Sequence, residues 1–268
     1  MGEPTLSSQD HDVSEMIPAA RRGRIAEMLR SRRTVRVSTL SEEFGVSEMT
    51  IRRDLERLES EGLLSRTHGG AILKQHMVGE PLYVNNVLTH AEEKRRIAAA
   101  AAATIKPGET VFLSSGTTAA QVLRHLDPQL EARVITHNVG ALAESEGLRI
   151  ELVLLGGVFR PQSNALEGPV PTDLVSGFYA SKMLLGADGV SLEEGLTTPS
   201  IGVATVEKAM LRQTRGEVLV LADSSKIGVV ADVAICPLDR ADLVIVDDGI
   251  EDGVLEELKR LGLQVVVV

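Results

Sequence analysis

Apolar positions recur at helical spacing in three short runs near the start of the chain. Ile25, Met28 and Leu29 form a core stripe, with Arg21, Arg22 and Arg24 facing out, that predicts a first helix over 19–32. Leu40 and Phe44 stand four apart, and Ile51, Leu55 and Leu58 follow at i, i+4 and i+7, so two more amphipathic segments flank a three-residue turn centred on Gly45. Ser38 and Ser47 precede these two stripes, where a side-chain oxygen can accept from an unpaired N–H of the first turn. Gly62 follows the last stripe, where a left-handed cap is wanted, so this helix is expected over 47–61. Residues 34–37 and the two short runs either side of Gly69-Gly70 read as extended chain, the last two as a β-hairpin or wing.

The period changes after residue 91. Strand-like runs at 110–113, 133–136, 151–155, 183–186, 217–221, 243–246 and 264–268 are interleaved with helix-like runs. The helices are expected on Ile97 to Ile105 and over 117–126, 139–145, 203–214 and 252–261. Continuous Val/Leu/Ile strands between helices predict a mainly parallel sheet covered on both faces. Between the two patterns, 74–90 lacks periodicity and contains Gly79, Pro81 and Asn85-Asn86, as a linker would. The expected organisation is an α/β chain: a disordered, acidic, Ser-rich tail over 1–18, a winged helix-turn-helix over 19–73, a linker over 74–90, and a larger α/β domain over 91–268.

Charge sharpens the reading of the first domain. The 268 residues carry a net −10, but 20–76 holds 12 Lys and Arg against 8 Asp and Glu. Positive charge is thus concentrated on one segment, as a phosphate backbone requires. At 100° per residue Met49, Thr50, Arg53 and Arg57 fall opposite Ile51, with Arg52 on the shoulder. A helix whose first turns project Thr and Arg fits a DNA major groove, and Arg66 and His68 are expected at the wing tip, against a phosphate or the adjacent minor groove. The candidate DNA-binding set is therefore Ser38, Ser47, Met49, Thr50, Arg52, Arg53, Arg57, Arg66 and His68. Aromatics make up 2% of residues and Trp is absent, which disfavours single-strand binding by base stacking.

The single Cys236 excludes an internal disulfide and a cysteine-based metal site. No run approaches a membrane span and the first residues do not resemble a signal peptide, so a cytoplasmic protein without membrane contact is expected. His125 and His137 have no partner at metal-ligand spacing and read as structural or solvated; neither metal nor cofactor is called for.

In parallel sheets, ligands gather beyond the carboxyl ends of strands. Five strand ends here are polar or glycine-rich: Ser114-Ser115-Gly116-Thr117-Thr118, Thr136-His137-Asn138, Gly156-Gly157, Gly186-Ala187-Asp188, and Asp223-Ser224-Ser225-Lys226. Each alone has an ordinary alternative, since hydroxyls cap helices and a glycine pair makes a tight turn. Together they point to a polar pocket.

The run VSEMTIRRDLERLESEGLLSRTHGGA resembles the N-terminal signature of the DeoR family of bacterial transcription regulators, V-S-x-x-T-I-R-R-D-L followed by a G-x-x-x-R-x-H-G-G-A wing. The strand-end motifs resemble that family's effector domain, whose fold is shared with ribose-5-phosphate isomerase and glucosamine-6-phosphate deaminase. The resemblance implies a regulator, a repressor of a carbohydrate operon, released by a phosphorylated sugar. The implied effector contacts are Ser114, Ser115, Gly116, Thr117, Thr118, Thr136, Asn138, Gly156, Gly157, Asp188 and Lys226, with Ser114 standing where the family commonly has Asp. A palindromic operator in double-stranded DNA implies a homodimer or tetramer. The alternative, an isomerase or deaminase bearing a DNA-binding module, needs a general base on a loop. After Gly186-Ala187-Asp188 the isomerases' Lys-Gly run is missing, and Glu193 and Glu194 look like turn residues, so no enzyme is expected.

Overall fold

A computed structural model describes residues 16–268, and the tail expected over 1–18 lies outside the described residues except for 16–18, where Pro18 already opens a helix. The chain divides into two compact units, Met1–Leu73 and Lys74–Val268.

The first unit contains α1 (Pro18–Arg32), β1 (Thr34–Arg36), α2 (Val37–Phe44), α3 (Glu48–Ser60), β2 (Leu64–Arg66) and β3 (Gly70–Leu73). The strands form an antiparallel sheet in the order β1-β3-β2. The apolar stripes of the three helices close on one core, in which Ile25, Leu40 and Ile51 are fully buried. Ser47 caps α3 as expected, its hydroxyl accepting from Thr50 N at 3.2 Å. Ser38 does not cap α2. Val37 N is already engaged by Gly69 O of the wing at 2.8 Å, so the helix begins one residue before Ser38 and leaves that hydroxyl exposed. Gly70 is required by contact, because a Cβ there would lie 1.9 Å from Val35 O on the neighbouring strand.

In the second unit the segment expected as a linker has structure of its own: β4 (Gln75–His76) and α4 (Tyr83–Leu88). A two-residue strand and a six-residue helix are too short to impose periodicity, which hid them in the sequence. There follow α5 (Ala91–Ala102), β5 (Thr110–Leu113), α6 (Thr117–Val122), β6 (Arg133–Thr136), α7 (Ala141–Glu144) and β7 (Glu151–Leu154). A hairpin of β8 (Val158–Arg160) and β9 (Ala165–Glu167) leads to α8 (Pro169–Val175) and the long central β10 (Ala180–Gly186). The remainder is β11 (Gly189–Ser191), β12 (Gly195–Thr198), α9 (Ile201–Gln213), β13 (Thr214–Leu221), β14 (Val229–Val230), β15 (Val233–Cys236), β16 (Leu243–Val246), α10 (Asp252–Arg260) and β17 (Gln264–Val267).

Seven strands form one sheet in the order β17-β16-β13-β10-β5-β6-β7, with every neighbouring pair parallel. Successive side chains of a strand point to opposite faces. Both sets are buried here: Val111, Leu113 and Leu219 on one face, Phe112, Val218 and Val220 on the other. The sheet is therefore covered on both sides, which is why its strands read as continuous apolar runs. Chain order reverses between β5 and β10: β6 and β7 continue outward from β5, while β13, β16 and β17 continue outward from β10. That reversal opens a crevice at the carboxyl ends of two adjacent strands.

Candidate functional site

The exposed side of α3 carries Met49, Arg52, Arg53 and Arg57, with Thr50 half-buried in its first turn. These side chains are presented differently. Arg57 pairs with Glu61 at 3.0 Å and Arg52 with Glu48 at 3.4 Å, while among the described residues Arg53 makes no ion pair or hydrogen bond. Arg52 also donates to His68 O at 3.4 Å, tying the helix to the wing loop. Arg66 is not at the wing tip. It belongs to β2, and Glu59 and Glu56 on α3 hold its guanidinium at 2.7 and 2.9 Å, raising its already high pKa; the tip consists of Thr67, His68 and Gly69. One arginine read as solvent-facing is buried instead. Arg21 of α1 donates to Asp54 of α3 at 2.6 Å, joining the two helices behind the exposed face.

The second unit has a pocket at the switch point, lined by the ends of β5, β10 and β13 together with α4, α5 and α9. Of the expected effector contacts, Ser115, Gly116, Thr117, Thr118, Asp188 and Lys226 line it. Asp188 accepts from Thr198 Oγ1 at 2.8 Å, and Asp223 beside it accepts from Ser225 N at 3.1 Å.

The other expected contacts stand behind the pocket. Ser114 is fully buried, and its hydroxyl accepts from Gly186 N at 2.8 Å, joining the ends of β5 and β10. Asn138 donates from Nδ2 to Gly116 O at 2.9 Å and accepts at Oδ1 from Gly140 N at 3.0 Å, so it shapes the Ser115–Thr118 loop with little bonding capacity left over. Thr136 Oγ1 is spent on Leu113 O at 2.7 Å. Gly156-Gly157 makes room for the chain itself, since a Cβ at Gly157 would come within 2.8 Å of Glu167 O and 2.9 Å of Pro171.

Sequence reasoning missed two pocket groups. Lys94 on α5, with only 3% exposure, donates to Asn86 O at 2.5 Å and lines the pocket; burial lowers its pKa, opposed by Asp223 and Asp188. In sequence it reads as one more charge in the solvated run Glu92-Glu93-Lys94-Arg95-Arg96. Asp223 also lines the pocket, though only its neighbour Lys226 was singled out as a contact.

Glu207 on α9 is the second missed group, 2% exposed, with Oε1 accepting from Ser115 Oγ at 3.3 Å. Burial, and then the Asp188 carboxylate, raise its pKa well above the usual carboxylate range. Beside it, His137 contacts Leu166 O at 3.1 Å through Nδ1, which must donate, so Nε2 presents a lone pair 4.0 Å from Glu207 Oε1. Burial pushes this imidazole down to about 4, and it is uncharged at neutral pH. Among the described residues no group of three or more His, Cys, Asp or Glu could hold a metal ion, and no helix is long and apolar enough to cross a membrane.

Comparison with known proteins covers both units. The DeoR-like helix-turn-helix domain matches residues 21–76, and the DeoR C terminal sensor domain matches 89–248. A putative aga operon transcriptional repressor of Escherichia coli O157:H7 is 33% identical over 253 residues, 92% of this chain and 93% of that protein. The HTH-type transcriptional regulator GlpR of Haloferax volcanii is 32% identical over 251 residues, 94% of this chain and 98% of its own. The HTH-type transcriptional repressor GlcR of Bacillus subtilis is 33% identical over 225 residues, 83% and 85% of the two chains. With a recognition helix and wing in one unit and a polar switch-point pocket in the other, the chain belongs to the DeoR family and is a DNA-binding transcriptional regulator.

Proposed function

We propose that this regulator is a repressor of a carbohydrate-metabolism operon whose hold on its operator is released by a phosphorylated sugar. The observation that carries the reading is the pairing, in one pocket, of two lysines with hydroxyls and carboxylates: Lys94 and Lys226 suit a phosphate, Thr117, Thr118 and Asp188 suit sugar hydroxyls. Glu193 and Glu194 pair with Lys74 at 2.9 and 3.6 Å and do not line the pocket, which favours binding over isomerase chemistry. On the DNA side, Met49, Thr50, Arg52 and Arg53 are assigned to the major groove and His68 to the flanking backbone. A homodimer or tetramer in the cytoplasm completes the proposal, since a palindromic operator needs two recognition helices. The effector acts only through unequal affinity for the DNA-competent and incompetent forms.

The test is binding of the purified protein to its own upstream DNA at fixed salt, with and without a panel of phosphorylated sugars. Loss of binding with one of them is the expected result. Tight binding that no compound changes would refute the effector half. Unchanged affinity in a folded Arg52→Ala/Arg53→Ala variant would refute the assignment of the DNA face.

A further inference from the structure

Among the described residues, the pocket holds a buried carboxyl group with one of its two oxygens unsatisfied. Glu207 Oε2 has no hydrogen-bond partner, although the residue is 2% exposed and lines the pocket. Leaving a buried polar atom unpaired costs stability unless a ligand completes it. The nearest charge is of the same sign: Asp188, on the end of β10, acts on Glu207 through space and is itself bonded only to a hydroxyl, that of Thr198. Among the described residues no lysine or arginine comes within ion-pair distance of either carboxyl, and the one basic neighbour, His137, is uncharged with its own Nε2 unpartnered. The lining also carries Lys94, Lys226, Asp223 and Glu80, and Asp188 acts on Lys94 as well as on Glu207. The pocket therefore holds two lysines and, at Glu207, a buried carboxyl that neither of them pairs.

We propose that Glu207 makes the pocket selective for an amino-sugar phosphate, the ligand's ammonium sitting against Glu207 and Asp188 while Lys94 and Lys226 take the phosphate. This inference rests on the reading that the pocket takes a phosphorylated sugar, and deepens it. A metal ion is the other cation to consider, but among the described residues no group of three or more His, Cys, Asp or Glu is placed to hold one. Burial favours the protonated acid in the free protein; an ammonium at the same place favours the carboxylate, and the proton given up passes to solvent. A plain hydroxyl in the same place donates only a neutral hydrogen bond. Charge-assisted hydrogen bonds are roughly twice as strong as neutral ones.

The test is calorimetric titration of the full chain with matched pairs, glucose 6-phosphate against glucosamine 6-phosphate and galactose 6-phosphate against galactosamine 6-phosphate. In one pair the amino member is expected to bind about tenfold more tightly to the unsubstituted protein. Glu207→Gln should abolish that preference, the two members of the pair then binding alike. Asp188→Asn, at the rim of the same carboxyl pair, should reduce it, and carries the test if a melting curve shows that Glu207→Gln does not fold. Equal affinity for both members of every pair, or a preference that survives Glu207→Gln, would overturn the inference and leave the sugar-phosphate reading standing. Failure of every compound to bind would overturn both.

Discussion

Arg21 and Asp54 show what a single pair of side chains contributes to the DNA-binding unit. Both are buried, and the guanidinium Nε lies 2.6 Å from the carboxylate, with Arg22 a second and longer contact at 3.5 Å. The pair joins α1 to α3 directly behind the face that carries Arg52 and Arg53. Removing Arg21 leaves the buried Asp54 carboxylate with only the longer contact to Arg22, which costs far more than losing an exposed pair. Arg21→Ala is therefore expected to destabilise the unit by about 3–5 kcal/mol, measurable as a lowered denaturation midpoint. Arg24→Ala, whose partner Glu27 is equally exposed, should leave stability nearly unchanged. A change at Arg21 of under about 1 kcal/mol would mean the pair does not anchor α3. This residue also shows a limit of reading from sequence. Arg21 lies off the apolar stripe and was read as solvent-facing, because helical periodicity records which positions are apolar and cannot reveal that a distant acid neutralises a buried base. Glu207 and Lys94 were illegible for the same reason, each sitting in a helix segment whose charges read as solvated.

At the scale of elements, legibility followed length and apolar continuity. Strands β5, β6 and β16 fall where the apolar runs placed them, and the helix-turn-helix where its three stripes did. Strands β8, β9, β11, β12 and β15 span three or four residues each, and β12 pairs with β15 across some forty residues of chain, so their pairing depends on contacts that no local pattern records. The strand-end motifs were legible as a set, and the structure divides them by chemistry. Residues after β5, β10 and β13 face the crevice, while those after β6 and β7 support it, because the reversal of strand order lies between β5 and β10. Within the recognition element, the arginines differ in availability. Arg53 is free to meet a phosphate or a base, whereas Arg66 is already held by Glu56 and Glu59. Arg53→Ala should therefore weaken operator binding and, if the contact is to phosphate, lower the slope of log affinity against log salt by about 1. Arg66→Ala should alter both much less. Equal effects from the two would show that the ion pairs on Arg66 break when DNA binds.

At the scale of the whole molecule, what matters is how occupancy of the pocket could reach the wing. The chain itself supplies the connection. Strand β3 of the wing ends at Leu73, and the next residues but one, Gln75–His76, form β4, which pairs in parallel with β14. Gln75 N donates to Gly228 O at 3.0 Å and Met77 N to Val230 O at 2.8 Å. Gly228 lies two residues beyond Lys226, whose side chain lines the pocket, and Gly228 N is fixed in turn by Val190 O at 2.8 Å. The turn carrying Asp223 and Lys226 is thus linked by backbone hydrogen bonds, within a few residues, to the strand that continues along the chain into the wing, a route by which the proposed effector would act. Coupling of this kind is a free energy shared by two sites, so it can be lost while both sites keep their own affinities. Gln75→Pro removes the N–H that bonds Gly228 and leaves every pocket side chain in place. The expected outcome is a protein that binds operator and effector separately with near-normal affinity, but whose operator affinity the effector no longer changes. Both affinities, and operator binding at saturating effector, can be measured on the same preparation. Full release of DNA by effector in that variant would show that the signal does not travel through β4 and β14.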